Sequence, residues 1–473
     1  MKRFFLLLAP LLMLVACNDD PEVTGPLPEI TWVMSSGRFR IQTGESIQLV
    51  PDIENLDETS VYVWTIEGKV VGHDNYYTFT TDTPGEYFVK LTINNRFGKV
   101  EDEVKITVTE NTNVELPEIP EHSGWQVPWT EINVAQGRTI KVKAYMTGTE
   151  REVATVFTAA AEGRHSVVLR DEESGRSQEF FITVCPPAGT YRRSSKGQAM
   201  VNKVYAYMPA PGHQVNGYII TGKSYPDGCT HEQACDSVLA HFSRKWSVSL
   251  GGQGGYVVAG FDHSVINSEL VNGQSAYDLC IKGNPFSYQS EPGIIWVSQD
   301  DNGDGLPNDQ WFELAGSEYG TDNHSVEYAI TYFRPEKPKS YTGWRDTNGD
   351  TGYIPYMSYW NPSDYYWQPW IEGTEHTYFG SRLRDRSTYE SGISDIPPYD
   401  WGYADNLSDI DFTDGPAGKM GYYKISNART WDGQLANLEY IDFVKIQTAQ
   451  TGSTPNLGEI STEVYYIGDC HLQ

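Results

Sequence analysis

"PGEYFVKLTINNRFGKVEDEVKITV", residues 84–108, decides the fold of the amino-terminal part of this chain. On either side of "NNRFG" apolar and polar residues alternate, the pattern of a strand with one face buried and the other in water. Asn, Arg and Gly between the two runs supply a turn. The same alternation continues upstream in "ESIQLVPDI", "SVYVWTIEG" and "YYTFTT", separated by Gly, Pro, Asn and Asp turns, so residues 29–110 are expected to form an antiparallel β-sandwich.

Trp64 in "YVWTIEG" and Tyr87 in "TPGEYFVKLTI" stand where an immunoglobulin-like sandwich keeps a core tryptophan and a late-strand tyrosine. These residues also resemble the polycystic-kidney-disease (PKD) family of extracellular modules, which implies a spacer or adhesive unit. Residues 111–187 read as a worn copy: "EGRHSVVLRDEESGRSQEFFITV" follows the order of the quoted stretch, with Gly163 in the place of Gly85 and Leu169 in that of Leu91. The Pro- and Glu-rich "ENTNVELPEIPEHSG" between them reads as a linker.

At the start, Lys2 and Arg3 precede an apolar run from Phe4 to Val15 that closes on "LVAC". A charged start, a short apolar core and a small-residue end make a secretory signal, and the run is too short to span a bilayer. Leu14 to Cys17 resemble a bacterial lipobox, which implies a signal peptide over 1–16 and lipid on Cys17. The acidic "CNDDPE" within the tether 17–28 resembles the segment that sends Bacteroidetes lipoproteins to the outer face of the outer membrane. The expected location is therefore the outer membrane, facing the exterior, with the lipid as the one membrane contact.

The 473 residues carry 63 acidic against 35 basic side chains, net −28, with no Lys/Arg-rich run after the leader. Such a surface repels phosphate backbones, which argues against nucleic acid as a partner. Beyond Cys17 the cysteines are Cys185, Cys229, Cys235, Cys280 and Cys470, an odd set in an exported chain. Cys229 and Cys235, in "CTHEQAC", are the disulfide candidate because their loop is short. Zinc with His231 lacks a visible fourth ligand.

Residues 188–473 differ in composition. One helix is expected in "HEQACDSVLAHFSRKW", and strands in "GGYVVAGFDHSV", "YDLCIKG", "GIIWVSQD", "QWFELAG", "VEYAITYF" and "YIDFVKIQT". Short strands without a βαβ rhythm favour a large jelly-roll-like antiparallel sandwich. The whole chain is then all-β: two immunoglobulin/PKD-like sandwiches and a larger one with a short helix.

Function is sought in two places. "DDNGDGLPND" places Asp300, Asn302 and Asp304 at alternate positions, then Gly305, the Leu306 carbonyl, Asn308 and Asp309, which is the opening of a calcium loop. Position twelve is Trp311 instead of the bidentate Glu of an EF-hand, so Asp309 or Glu313 is the expected closing ligand and calcium the expected, structural, cofactor. A solvated hairpin is the competing reading, because Asn-Gly and Asp-Gly turn without any metal. A carboxylate pair for glycoside hydrolysis is the third. "RDTNGDTG", with Asp346, Asn348 and Asp350, lacks the following glycine and reads as a plain turn.

The second place is "YMSYWNPSDYYWQPWIEG". Trp360, Tyr365, Tyr366, Trp367 and Trp370, with Trp401 in "PPYDWGYADN", offer flat faces to a sugar ring or a macrocycle, beside Arg382, Arg384 and Arg386. Core packing is the alternative. The scattered histidines show no zinc-protease spacing, "GKS" at 222–224 lacks a phosphate loop's upstream glycine, and no G-x-S-x-G elbow occurs.

Five phrases in order, "VYAYMPAPGHQVN", "SLGGQGGYVVAGFDHSVIN", "EPGIIWVSQDDNGDGLPNDQWFELAGSE", "YAITYFRP" and "IDFVKIQTAQTGSTPNLGEISTEV", resemble a family of Bacteroidetes cell-surface lipoproteins that join PKD-type modules to a shared β-rich domain. That resemblance implies company with outer-membrane uptake systems for glycans or corrinoids, hence a carbohydrate or corrinoid ligand and a TonB-dependent transporter as partner. Non-catalytic capture is the leading expectation. A glycan-active hydrolase using Asp304 or Glu313, and an adhesion or surface-structure protein, are the alternatives.

Overall fold

The computed structural model describes residues 25–32, 38–44, 46–109, 116–121, 125–146, 152–186, 192, 197–215, 228–286, 288–357, 363–390, 393–415, 418–455 and 457–472. Residues 1–16, expected above to be a signal peptide, together with Cys17 and Trp360, lie outside them. The fold is all-β with short helices, and no described helix is long and apolar enough to cross a membrane. The chain divides into two units, residues 1–111 and 112–473.

In the first unit a five-stranded sheet runs in the order Arg38–Gln42, Gly98–Thr109, Gly85–Asn95, Val61–Ile66, Lys69–Gly72. The alternation read from residues 84–108 becomes a burial alternation: Val89, Leu91, Val104 and Ile106 are wholly inside while Glu86 and Phe88 point outward. Trp64 is fully buried, stacks on Tyr77 at 5.8 Å and donates its Nε1–H to the Asp74 carbonyl at 2.8 Å. Its one polar atom is thereby satisfied, the condition for burying an indole. Tyr87 donates its hydroxyl to the Thr83 carbonyl at 2.9 Å.

The second unit begins with the second sandwich, whose three-stranded sheets are Trp125–Gln126, Thr139–Met146, Val153–Thr158 and Glu131–Ala135, Ser177–Cys185, Gly163–Arg170. The repeat is visible in its topology. In each module an early strand pairs in parallel with the last one, Arg38–Gln42 with Gly98–Thr109 and Glu131–Ala135 with Ser177–Cys185. Gly85 and Gly163 each open the penultimate strand, and Leu91 and Leu169 are both core. This module packs against the larger domain within one unit, so only the first sandwich is a separate body.

The larger domain has an antiparallel six-stranded sheet in the order Lys203–Met208, Tyr256–Ile266, Tyr440–Thr448, Gly293–Ser298, Trp311–Leu314, Ala428–Arg429. A four-stranded sheet, Phe412–Gly415, Gly418–Tyr423, Leu279–Lys282, Tyr466–Asp469, shares one apolar core with it, and neighbours far apart in sequence give the jelly-roll-like crossing. A further four-stranded sheet, Thr351–Ile354, Thr342–Asp346, His324–Phe333, Glu375–Leu383, has a core of its own. The expected helix spans His231–Arg244, opened by a capping box between Thr230 and Gln233 and closed by Lys245 in the left-handed region. A second short helix, Ser268–Asn272, was not expected, being only one turn long.

The helix corrects the disulfide expectation. Cys229 precedes the cap and Cys235 sits in the second turn, and both are unbonded thiols. The cap at Thr230 and the helix that follows it turn the two thiols to different partners. Cys229 Sγ faces the Thr230 carbonyl and Cys235 Sγ faces His231 Nε2 at 3.7 Å.

Candidate functional site

The acidic loop connects the strands Gly293–Ser298 and Trp311–Leu314, and its glycines Gly303 and Gly305 adopt positive φ, which lets so short a link curl. Asp300 sits at its centre: Oδ1 accepts from the Gly303 N–H at 2.8 Å and Oδ2 from the Gly305 N–H at 2.9 Å. Asn302 Oδ1 accepts from the Asp304 N–H, and Asp304 Oδ1 from the Leu306 N–H. These local bonds shape the curl, as in an Asx turn, and two bonds from outside anchor it: the Tyr205 hydroxyl donates to the Gly305 carbonyl at 2.8 Å and the Asp300 N–H to Asp442 Oδ2 at 2.9 Å.

Asp309 is different. It is 1 % exposed, and neither carboxylate oxygen meets a donor in good hydrogen-bond geometry. Burial first, then the charges of Asp301, Asp300 and Asp304, pushes its pKa up to about 9. A carboxyl so placed awaits a proton or a cation. Asp300 and Asp301 are raised too, again by burial first, Asp301 to about 6 despite Arg138.

The structure removes two expected ligands. Asn308 faces the second sandwich, its carbonyl accepting from Asn133 N–H at 3.0 Å and its Oδ1 from Asn133 Nδ2 at 2.8 Å. Glu313 lies on the strand beyond the loop, with Oε2 accepting from Ser381 Oγ at 2.6 Å and Oε1 2.8 Å from His324 Nε2. Strand alternation carries it into the sheet interior, away from Asp309. Asp300, Asp304 and Asp309 share one curl with Asn302 and the Leu306 main chain, but among the described residues their carboxylate oxygens do not gather within 4.8 Å of one another, so the curl as folded is not a closed ligand shell.

The plain-turn reading of "RDTNGDTG" fits its geometry: Asp346 accepts from Asn348 N–H and Asp350 N–H within the hairpin, and from the Tyr328 hydroxyl of the neighbouring strand. Arg382 leans on the same carboxylate at 3.5 Å, and Arg386 covers the Tyr399 ring at 3.7 Å, so these two arginines brace the fold.

The aromatic segment divides. Tyr366 and Trp367 are core residues, 3 % and 7 % exposed, packed with Ile330, Tyr332 and Tyr378, which corrects their reading as ligand contacts. Their neighbouring sheet needs a covering layer, and these rings supply it. Trp370 is wedged beside Met208, Tyr207 and His231. Tyr365 is half-exposed under Arg334, with its hydroxyl 3.4 Å from the Glu336 carbonyl.

Trp401 has another setting. It lines a cavity of about 310 Å³ with Tyr277, Tyr422, Tyr423, Asp411 and Lys424, while Leu314 and Ala315 form part of its wall. Tyr277 and Tyr422 lie 5.8 Å apart at 43°, and Lys424 Nζ stands 5.8 Å from the Tyr277 ring. The rim is held in advance: Asp411 Oδ2 accepts from Gly402 N–H at 2.6 Å, Tyr277 donates to the Ile410 carbonyl, and Tyr423 donates to Tyr403. Gly402 has φ +94, and a Cβ there would stand 2.4 Å from Gly316 Cα, so only glycine lets the Trp401 turn approach the strand end. Burial raises the Asp411 pKa.

One cluster escaped the sequence because its members come from distant segments. Single carboxylate oxygens of Glu291, Asp405 and Glu463 lie within 4.8 Å of one another, with Asp405 and Glu463 buried. Burial, then mutual repulsion, raises Asp405 and Glu463, and burial raises Glu291 to about 7. The folded chain thus holds protons that the unfolded chain releases above about pH 4.5, and stability falls as pH climbs from there through 7. Glu463→Gln is expected to flatten this decline between pH 5 and 8 in urea titrations. An unchanged slope would contradict the shared-proton reading.

With this geometry in hand, residues 27–95 match a family described as a PKD-like domain, over the first sandwich. That sandwich is an immunoglobulin-like module of PKD type. No curated protein matches the chain. Among solved structures it is similar to the PKD domain of human KIAA0319, at 17 % identity over 20 % of this chain and 91 % of that one, TM-score 0.17. It is also similar to a quinonprotein alcohol dehydrogenase-like protein from Bacteroides thetaiotaomicron, at 16 % identity over 33 % of this chain and 38 % of that one, TM-score 0.16. A titin fragment crystallised with telethonin gives 12 % identity over 35 % of this chain and 100 % of that one, TM-score 0.16.

Proposed function

We propose that this chain is a lipid-anchored protein on the outer face of the outer membrane that captures a carbohydrate ligand without altering it and passes it to a TonB-dependent transporter. The observation that supports capture is the preset groove: Trp401, Tyr277 and Tyr422 offer flat apolar faces, while Asp411, Lys424 and Asn427 stand among them as polar groups. Sugar rings present an apolar face flanked by hydroxyls and are recognised by such a mixture. A corrinoid is the competing ligand for the same rings.

Asp411 is the one carboxylate in the lining, and its Oδ2 is engaged by the Gly402 N–H, which weighs against a hydrolase needing two opposed carboxyls. The leader supports the anchor and the PKD-type module supports a spacer role. Calcium in the acidic loop, drawn by the buried Asp309 with Asp300 and Asp304 on the same curl, is part of the proposal as a structural ion that neutralises buried charge.

The test titrates the purified chain with a glycan panel and with cobalamin, following tryptophan fluorescence. Saturable binding of a glycan is expected, weakened about 10- to 30-fold, ~1.4–2 kcal/mol, by Trp401→Ala. Tight cobalamin binding with no glycan binding would replace the ligand class. Hydrolysis of any bound glycan, or binding indifferent to Trp401, would overturn the proposal.

A further inference from the structure

We infer that Cys280 and Cys470 are a disulfide-forming pair that fastens the last strand of the larger domain to the centre of its four-stranded sheet. The strand Leu279–Lys282 is flanked there by Gly418–Tyr423 on one side and Tyr466–Asp469 on the other. Cys280 stands opposite Gly468, and Cys470 follows two residues later as the first residue of the 3-10 turn Cys470–Leu472 that ends the strand; both are free thiols in this structure.

The contact is prepared from both sides. Cys470 donates its main-chain N–H to the Asp278 carbonyl at 2.9 Å, which keeps its backbone in register with the neighbouring strand past Asp469. Gly468 puts no side chain between the sulfurs, and a Cβ there would strike the Tyr466 ring at 2.5 Å. The Cys280 thiol is directed to the Gly468 carbonyl at 3.5 Å, and the Cys470 thiol is within hydrogen-bonding reach of Cys280. Cys185, Cys229 and Cys235 lie elsewhere, at the end of the second sandwich, just before the helix cap and on the helix.

Cys280 is fully buried and Cys470 is half-exposed in the folded chain, so late in folding Cys470 is the last of the two to stay open to solvent. Cys470 is the sulfur that an incoming disulfide oxidant can reach. Its thiolate attacks that disulfide, releases one thiol and forms a mixed disulfide. Cys280, as thiolate, then attacks Cys470 Sγ and releases the second thiol. Two protein thiols lose two protons and two electrons, and the oxidant leaves as two thiols. Contact with Cys280, burial and the charges of Asp469 and Asp278 hold the Cys470 thiol protonated. Exchange in the finished fold is therefore slow, and the bond belongs to the folding stage.

That such an oxidant is met in the cell rests on the export proposed above, whereas competence to pair does not. The purified chain is unfolded, refolded in a glutathione redox buffer, alkylated without reduction and mapped by mass spectrometry. A peptide linking Cys280 to Cys470 is expected, with the other three cysteines downstream of Cys17 alkylated. Reduction is expected to lower the melting temperature by several degrees in the parent and to leave Cys470→Ser unmoved. Alkylation of all five, or a link between other cysteines, would overturn the pairing. Alkylating the protein inside cells separates the two ideas: a link formed in the buffer but missing in cells refutes the export reading and leaves the pairing standing.

Discussion

Millimolar calcium is expected to raise the melting temperature of this protein by roughly 5–8 °C at pH 8, and Asp309→Asn is expected to raise the metal-free value while abolishing the calcium response. Asp309 is the reason. An unfolded aspartate gives up its proton near pH 4, whereas the buried one, its pKa pushed up to about 9, keeps it. Between those values the folded state binds more protons than the unfolded state, so stability falls steadily as pH rises.

At about 1.4 kcal/mol per unit the full shift is an upper bound of roughly 7 kcal/mol, and relaxation and water bring the effective penalty to about 2–4 kcal/mol. Calcium at a hundred times its dissociation constant restores about 2.7 kcal/mol. At roughly 2–3 °C per kcal/mol for a large unit, this gives the shift stated. Because calcium competes with the proton on Asp309, the gain should shrink at pH 6. Scanning calorimetry with calcium and with chelator at both pH values decides the matter. Identical curves for the parent at pH 8 would leave the loop a plain turn.

Arg138→Ala is expected to destabilise the second unit by about 3–5 kcal/mol, a larger loss than any surface ion pair could cause. Arg138 belongs to the second sandwich and reaches into the acidic loop, where Nη1 donates to both oxygens of Asp301 at 3.0 and 2.8 Å and Nη2 to Gln299 Oε1 at 2.6 Å. The Asp301 side chain is 0 % exposed, so removing the guanidinium strands a buried carboxylate beside three others. Arg138→Lys is expected to recover only part of the loss, since a point charge cannot reproduce the fork. Double-mutant cycles with Asp301→Asn, read by urea unfolding, measure the coupling. A loss below about 1 kcal/mol would show that the pair is solvent-screened.

The two expectations meet at one joint. Asn133 bonds to Asn308, Gln310 to the Thr139 carbonyl and Trp431 to the Thr139 hydroxyl, while Lys141 and Lys143 pair with Glu327 at 2.8 and 3.1 Å. The acidic loop is therefore also the seat of the second sandwich. A sequence window centred on Asp301 holds no trace of Arg138, 163 positions away.

Much of the fold was legible. Alternation around residues 84–108, the tryptophan of "YVWTIEG", the helix after Thr230 and the strand Tyr440–Thr448 were all readable, because period and turn chemistry are local properties of a chain. The aromatic segment was not. Tyr366 and Trp367 carry the same composition whether they cap a sheet or face a ligand, and Trp401 became the groove residue through its loop's approach to Gly316.

Residue order by itself determined which stretches are strands, where they turn, that acidic side chains crowd one curl, and that the surface is strongly negative. The tertiary structure alone decided which faces are covered, that Glu313 turns inward to His324, and that Glu291, Asp405 and Glu463 share a pocket of protons. The physical reason is range. Backbone geometry repeats every two or four residues and leaves its mark in neighbours, whereas burial and charge coupling arise between segments that only sheet packing brings together.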